Sequence, residues 1–172
     1  MTPQVAIVMG SNSDMPKLEA GIAVFKEFGI GCEIRILSAH RTPRAVEEFA
    51  TTAKDRGIKV IIAAAGGAAH LAGVIAAYTV LPVIGVPIAL QGGLGGIDSL
   101  LSMVQMPAGI PVATMSAGSG GGENAALMAV AIMAVGDSTL TEMLETFRKR
   151  MTNKVLERDS ALQWKLTQND RV

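Results

Sequence analysis

The sequence predicts an α/β fold in three layers, a doubly wound parallel sheet carrying an added C-terminal helix and arm. Apolar runs of strand length begin near residues 5, 32, 60, 82 and 112, spaced by 22 to 30 residues, the length of a strand plus a crossover helix. Most of these runs are apolar without alternation, as strands covered on both faces must be. Each also ends in a loop rich in Gly, Ser or Ala before helical spacing resumes. Right-handed crossovers with helices on both faces then favour a flavodoxin-like strand order.

Val5-Ala6-Ile7-Val8-Met9 opens the chain as a buried strand. Gly10-Ser11-Asn12-Ser13-Asp14 ends it. Met15 to Phe28 has helical spacing, with Asp14 suited to cap it, Pro16 in the first turn and Gly29 as the stop. Cys32 to Leu37 alternates as the second strand, and Ser38-Ala39-His40-Arg41 turns the chain toward a helix with Thr42 as N-cap and Pro43 as first residue. Val46, Phe49, Ala50 and Ala53 share one face of that helix, and Gly57 closes it. Val60 to Ala64 is the third strand. Ala65-Gly66-Gly67-Ala68-Ala69-His70 leads from it into an apolar helical segment that ends at Tyr78.

Pro82 to Val86 reads as the fourth strand, and a Gly-rich loop to Ile97 precedes a helix that Asp98 can cap and that runs to about Met106. Pro111 to Met115 is the fifth strand, followed by the loop Ser116 to Gly122 and an apolar helix from Glu123 to Val135. Beyond Gly136 the composition turns polar: charges fall at helical spacing from Ser138 to about Leu156, and Ala161 to Val172 forms a tail with the single tryptophan, Trp164. An indole left in water is costly, so Trp164 is expected to dock on the body or on a neighbouring subunit. The chain thus divides into a flavodoxin-like domain over residues 1–156 and a C-terminal arm over 157–172.

Lys plus Arg and Asp plus Glu number 15 each, for a formal charge of zero, and no basic cluster alternates with aromatics, which argues against a nucleic-acid partner. The single cysteine, Cys32, permits no intrachain disulfide and reads as strand filler. No basic segment followed by an apolar stretch and a cleavage site opens the sequence, so a cytoplasmic location is expected. The longest clean apolar run, Ala125 to Val135, falls well short of the roughly 20 residues of a membrane span. From Val60 to Gly136 only Asp98 and Glu123 are charged. Burial of this span by further copies of the chain accounts for that, and a homo-oligomer is expected. A tightly packed Ala/Gly-rich monomer core is the competing explanation.

Ligands of doubly wound sheets bind at the carboxyl ends of the strands, beside the switch in strand order. The unusual polar residues all fall there: Ser11, Ser13 and Asp14 after the first strand, Ser38, His40 and Arg41 after the second, Gly66, Gly67 and His70 after the third. His40 supplies a group that carries a proton near neutral pH, and Arg41 a cation shaped for phosphate or carboxylate, with the hydroxyls of Ser38 and Thr42 alongside. A plain capped turn would use some of the same residues, but both histidines of the chain lie on this one edge. The first loop suits a phosphate through its small residues and hydroxyls. Asp14 fits ribose hydroxyls better, or serves as a helix cap. No Walker motif is present, the loose Gly120-x-Gly122-x-x-Ala125 match follows the wrong strand, and no metal-ligand spacing occurs, so ATP, NAD and metal are unsupported.

Four stretches carry a resemblance: Met9 to Asp14, Ser38 to Pro43, Gly66 to Leu71, and Asp98 to Pro107. In order and with matching loop lengths, from about Val5 to Leu144, they closely resemble the class I PurE family of N5-carboxyaminoimidazole ribonucleotide mutases. The resemblance implies a flavodoxin-like fold, a homo-octamer, a small ribonucleotide substrate, and a rearrangement without cofactor or metal, in which the carboxyl group moves from the exocyclic nitrogen to ring C4. Position by position, it implies that His40 is catalytic and that Ser11, Asp14 and Arg41 contact substrate. Ser13, Ser38, Ala65, Gly66 and Leu71 would line the same pocket, with His70 in a supporting role. Ala72 stands where the family usually has proline, Ala64 where glycine is frequent there or nearby, and the loop Gly118 to Gly122 is unusually rich in glycine, departures that bear on loop rigidity. Gly66 to Leu71 resembles the mutases more than the class II relatives that carboxylate aminoimidazole ribonucleotide directly. A silent ribonucleotide-binding module is the reading from outside enzymology.

Overall fold

The computed structural model describes residues 2–169. Five strands, β1 (Val5–Met9), β2 (Cys32–Ile36), β3 (Val60–Gly66), β4 (Val83–Ile88) and β5 (Ala113–Thr114), alternate with the helices α1 (Glu19–Glu27), α2 (Pro43–Thr52), α3 (Leu71–Tyr78), α4 (Ile97–Val104), α5 (Gly121–Ala134) and α6 (Ser138–Asn169). The sheet is parallel throughout in the order β2-β1-β3-β4-β5. Helices lie on both of its sides. This is the flavodoxin-like arrangement expected from the apolar runs. Val5 pairs with Cys32 on one flank and Val60 on the other, so the order switches between β1 and β3.

Strand alternation sorts the core into two layers. Ala6 and Val8 of β1 and Ile61 and Ala63 of β3 pack with Val46, Phe49 and Ala50 of α2, Leu71, Ala72 and Ile75 of α3, and Met103 of α4. Each Val, Leu, Ile, Phe or Met side chain among them, removed fully from water, contributes about 1.5–3 kcal/mol, so the central strands anchor the loops that leave them. Between α1 and α5 the backbones come close: a Cβ on Gly21 would press on the Gly122 carbonyl, and a Cβ on Gly122 on the Lys17 carbonyl. At the β2 edge, Ile34 and Ile36 are exposed, and Glu33 accepts from both Arg35 and Arg56 at 3.2 Å.

Several boundaries differ from expectation for identifiable reasons. Residues 12–17 form a 3-10 turn ahead of α1, and its N-cap is Ser11 rather than Asp14. Asp14 instead accepts the Ser11 backbone N–H at 3.1 Å, the returning half of a capping box. Asp98 does not cap α4: that position belongs to Gly96, whose φ of 89° lies in the left-handed region open to glycine. α4 ends at Val104, and β5 is only two residues long. Cys32 is half-buried rather than a full core residue, and burial pushes its thiol up to about 11, so it is unreactive at neutral pH.

The described chain divides into two compact units at the Met133–Ala134 bond. In the second, α6 runs without a break through Asn169, so the segment expected as an arm is helical as far as the description reaches, and residues 170–172 of that arm lie outside the described residues. No Gly or Pro interrupts Ser138 to Asn169, which is why the helix continues. Trp164 on it is 63% exposed. Among the described residues, no helix is long and apolar enough to cross a membrane.

Candidate functional site

Three strand-to-helix loops meet above the β1/β3 switch point, each locked by its own hydrogen bonds. In the first, the Ser11 hydroxyl accepts from the Ser13 backbone N–H at 3.3 Å and from the Ser13 hydroxyl at 2.9 Å. In the second, Thr42 does not use its side chain to cap α2. Its hydroxyl accepts from the Ser38 N–H at 2.9 Å and donates to the Ser38 carbonyl at 3.1 Å, closing the turn that presents His40 and Arg41. The third turns on Gly67 at φ 63° and delivers His70 just ahead of α3, with the His70 side chain uninvolved in capping.

Arg41 ties two of these loops together. Its Nη2 donates to the Gly10 carbonyl at 2.8 Å and its Nε to the Ser38 hydroxyl at 3.3 Å. His40 Nε2 lies 2.8 Å from His70 Nδ1, with ring centroids 5.0 Å apart and planes 78° to each other. The loops enclose a cleft of about 340 Å³. Its lining includes every residue the resemblance places in the site, Ser11, Ser13, Asp14, Ser38, His40, Arg41, Ala65, Gly66, His70 and Leu71, but neither Gly67 nor Thr42. Gly10, Ala39, Ala68 and Leu90 join them unforeseen. Leu90 reaches in from the loop after β4, and a Cβ on Gly66 would come within 2.7 Å of its side chain, so glycine at 66 makes room for this wall. Residues of the first and second loops, with Ile36 of β2, line an adjoining cleft of about 420 Å³ that shares Gly10, Ser11, Ser38 and Arg41 with the first. A larger cleft of about 670 Å³ at the opposite end of the sheet offers only Lys54 and Tyr78 as ionisable groups.

Asp14 is 4% exposed, and burial raises its carboxyl above the ordinary 3.8, against the lowering effect of the Ser11 N–H and the Ser13 hydroxyl. A carboxyl raised by folding stabilises the fold below its unfolded value and loses that contribution as pH rises through the folded value. Asp14→Asn is therefore expected to gain stability over the parent as pH climbs from about 4 toward 7. Thermal melts across that range check it, and a pH-independent difference would refute it. Among the described residues, no three His, Cys, Asp or Glu side chains gather as a metal-binding group.

A family model for AIR carboxylase matches residues 4–154. The chain belongs to the AIR carboxylase family. Within the family, it is 49% identical over 162 residues to the N5-carboxyaminoimidazole ribonucleotide mutase of Synechocystis sp., covering 94% of this chain and 90% of that protein. It is 50% identical over 161 residues to the protein of the same name from Mycobacterium tuberculosis, covering 94% and 91%. A crystal structure of Treponema denticola PurE superposes with a TM-score of 0.82 at 31% identity, covering 93% of this chain and 98% of that one. The resemblance read from four sequence stretches and the AIR carboxylase match thus converge on one family, and the fold of this member agrees with that of a solved PurE.

Proposed function

We propose that this AIR carboxylase family member is an N5-carboxyaminoimidazole ribonucleotide mutase of purine biosynthesis, moving the carboxyl group from the exocyclic nitrogen to ring C4. The observation that carries the proposal is a proton carrier, His40, set beside a fixed cation, Arg41, in a cleft whose apolar wall is Ala39, Ala65, Ala68, Leu71 and Leu90 and whose other polar side chains are Ser11, Ser13, Asp14, Ser38 and His70.

Protonated His40 gives its proton to the exocyclic nitrogen, and the carbamate C–N bond breaks with its electrons left on that nitrogen, releasing CO2 beside aminoimidazole ribonucleotide. The ring's C4 attacks CO2. His40, now neutral, takes the C4 proton, which restores the aromatic ring and returns the histidine to its starting state. One imidazole can serve as acid and then as base because its ordinary range lies near neutral pH. Apolar walls suit the interval between the two bond changes, since they hold CO2 next to the ring and keep water from it. No step calls for a cofactor.

Arg41, with Ser11, Ser13 and Ser38, holds the 5′-phosphate, and Asp14 accepts from the ribose hydroxyls. Hydrogen bonds to charged groups contribute about 1.5–3 kcal/mol, so Arg41→Ala is expected to weaken binding of the phosphorylated ligand roughly 10- to 100-fold. Calorimetric titration checks this, and unchanged affinity would reject the phosphate assignment. A phosphorylated substrate also supports the cytoplasmic setting, because such compounds do not cross membranes unaided.

The same reading includes a homo-octamer. Supporting it, Ile97, Leu101 and Val104 form an exposed apolar stripe on α4, with Leu94 and Val80 exposed in the same charge-poor span and Leu90 leading from that loop into the cleft. A sedimentation mass of one chain would remove it. Mixing the purified protein with N5-carboxyaminoimidazole ribonucleotide, without ATP or metal, and following C4-carboxylated product by ultraviolet absorbance tests the function. Conversion supports the mutase. Turnover only of aminoimidazole ribonucleotide with bicarbonate would make it a direct carboxylase, and silence in both would leave a ribonucleotide-binding module.

A further inference from the structure

We propose that His70 is the positioning residue of this site: it shares one proton with His40, which forces the two rings into matching tautomers and leaves Nδ1 of His40 free for the substrate. The proposal rests on the mutase reading only in taking His40 as the group that does the chemistry. Its carrier is the 2.8 Å approach of His40 Nε2 to His70 Nδ1.

Two ring nitrogens at that distance must have one hydrogen between them. With none, two lone pairs face each other, and with two, a pair of N–H groups collide. In the neutral pair, a shared hydrogen on His40 Nε2 leaves His70 to carry its own on Nε2. A shared hydrogen on His70 Nδ1 leaves His40 to carry its own on Nδ1. Either way the tautomers match. For the same reason the contact admits three ring hydrogens and excludes a fourth, so the pair holds one positive charge at most.

Both rings are placed by backbone rather than by chance. His70 sits in the helical region at φ −75°, ψ −10°, its N–H donating to the Ala68 carbonyl at 2.8 Å, and His40 stands on the turn that Ser38 and Thr42 close. Nδ1 of His40 has no hydrogen-bond partner among the described residues. In the charged pair it bears the proton that passes to the exocyclic nitrogen. Once that proton has gone, both rings are Nε2–H tautomers, and the lone pair on His40 Nδ1 is ready for the proton from C4. Without His70, the His40 ring is free to turn and to place its hydrogen on the wrong nitrogen.

Two histidines make up the whole complement of the chain, so a long-range ¹H–¹⁵N spectrum of the uniformly labelled full chain reports this pair alone. At about pH 9, where histidines are ordinarily neutral, both rings are expected to show the same tautomer. His70→Phe should leave His40 averaged between tautomers and lower kcat roughly 10- to 100-fold with ligand affinity kept. His70→Asn, whose amide can take the place of Nδ1, should restore a fixed His40 tautomer and most of the rate. Opposite tautomers in the parent would overturn the proposal, as would a His40 tautomer and a rate both unchanged in His70→Phe. If His70→Phe does not fold, the parent spectrum decides alone. Matching tautomers in a protein that converts no substrate would sink the mutase reading and leave the pair standing.

Discussion

His40→Asn is expected to lower conversion of N5-carboxyaminoimidazole ribonucleotide by roughly 10²–10⁴-fold, the usual contribution of a positioned acid–base group. Affinity for the ribonucleotide should change little. The asparagine amide keeps a polar group on the turn closed by Ser38 and Thr42 but cannot carry a proton to nitrogen or accept one from C4. The proposed phosphate and ribose contacts come from Arg41, Ser38 and the first loop, which the substitution leaves in place. Steady-state rates beside calorimetric affinities separate the two effects. A rate near that of the parent would remove His40 from the chemistry.

Gly122→Ala is expected to cost about 1–3 kcal/mol, the range for overpacking a filled interior, and to lower the melting temperature by about 2–4 °C per kcal/mol. The added Cβ would press on the Lys17 carbonyl and stand 3.2 Å from Leu18 Cα. Both are backbone atoms, so no side-chain rotation relieves the contact, and the start of α5 must move away from the segment that enters α1. Gly118→Ala is the matched control, since a Cβ there meets nothing within 4 Å. Equal melting temperatures for the two variants would contradict the packing described between α1 and α5.

The glycine-dense loop before α5 shows how far the sequence could be read. Its composition was visible, but not which glycines are required: Gly121 and Gly122 stand against the carbonyls of Ser116 and Lys17, while Gly118 is open. β1, β3 and β4 are legible because burial on both faces leaves a short apolar run, and its recurrence at the spacing of a strand plus crossover helix points to a parallel sheet. The site was legible for a related reason. In so apolar a chain, His40, Arg41, Asp14 and His70 stand out, and the strand order brings their loops to one edge.

Leu90 was not legible, because a leucine in a Gly-rich loop has no period to place it, and only the sheet shows that it faces Gly66. Ser11 rather than Asp14 stands at the N-cap because either side chain can accept a backbone N–H, and three-dimensional placement decides between them. α6 runs past Leu156, where its charge spacing suggests an end, through Asn169. Its polar composition suggested a tail, yet a helix without Gly or Pro has no local reason to stop there.

The most direct test of the trapped-CO2 mutase is isotopic. N5-carboxyaminoimidazole ribonucleotide labelled with ¹³C in its carboxyl group is converted in buffer containing unlabelled bicarbonate, and the C4-carboxyl of the product is analysed by mass. Retention of the label is the expected result, because CO2 held between the walls of the cleft rejoins the ring before it can exchange. A product carrying the isotopic composition of the bicarbonate pool would contradict it, and would mean that CO2 leaves the site and the protein works as a carboxylase.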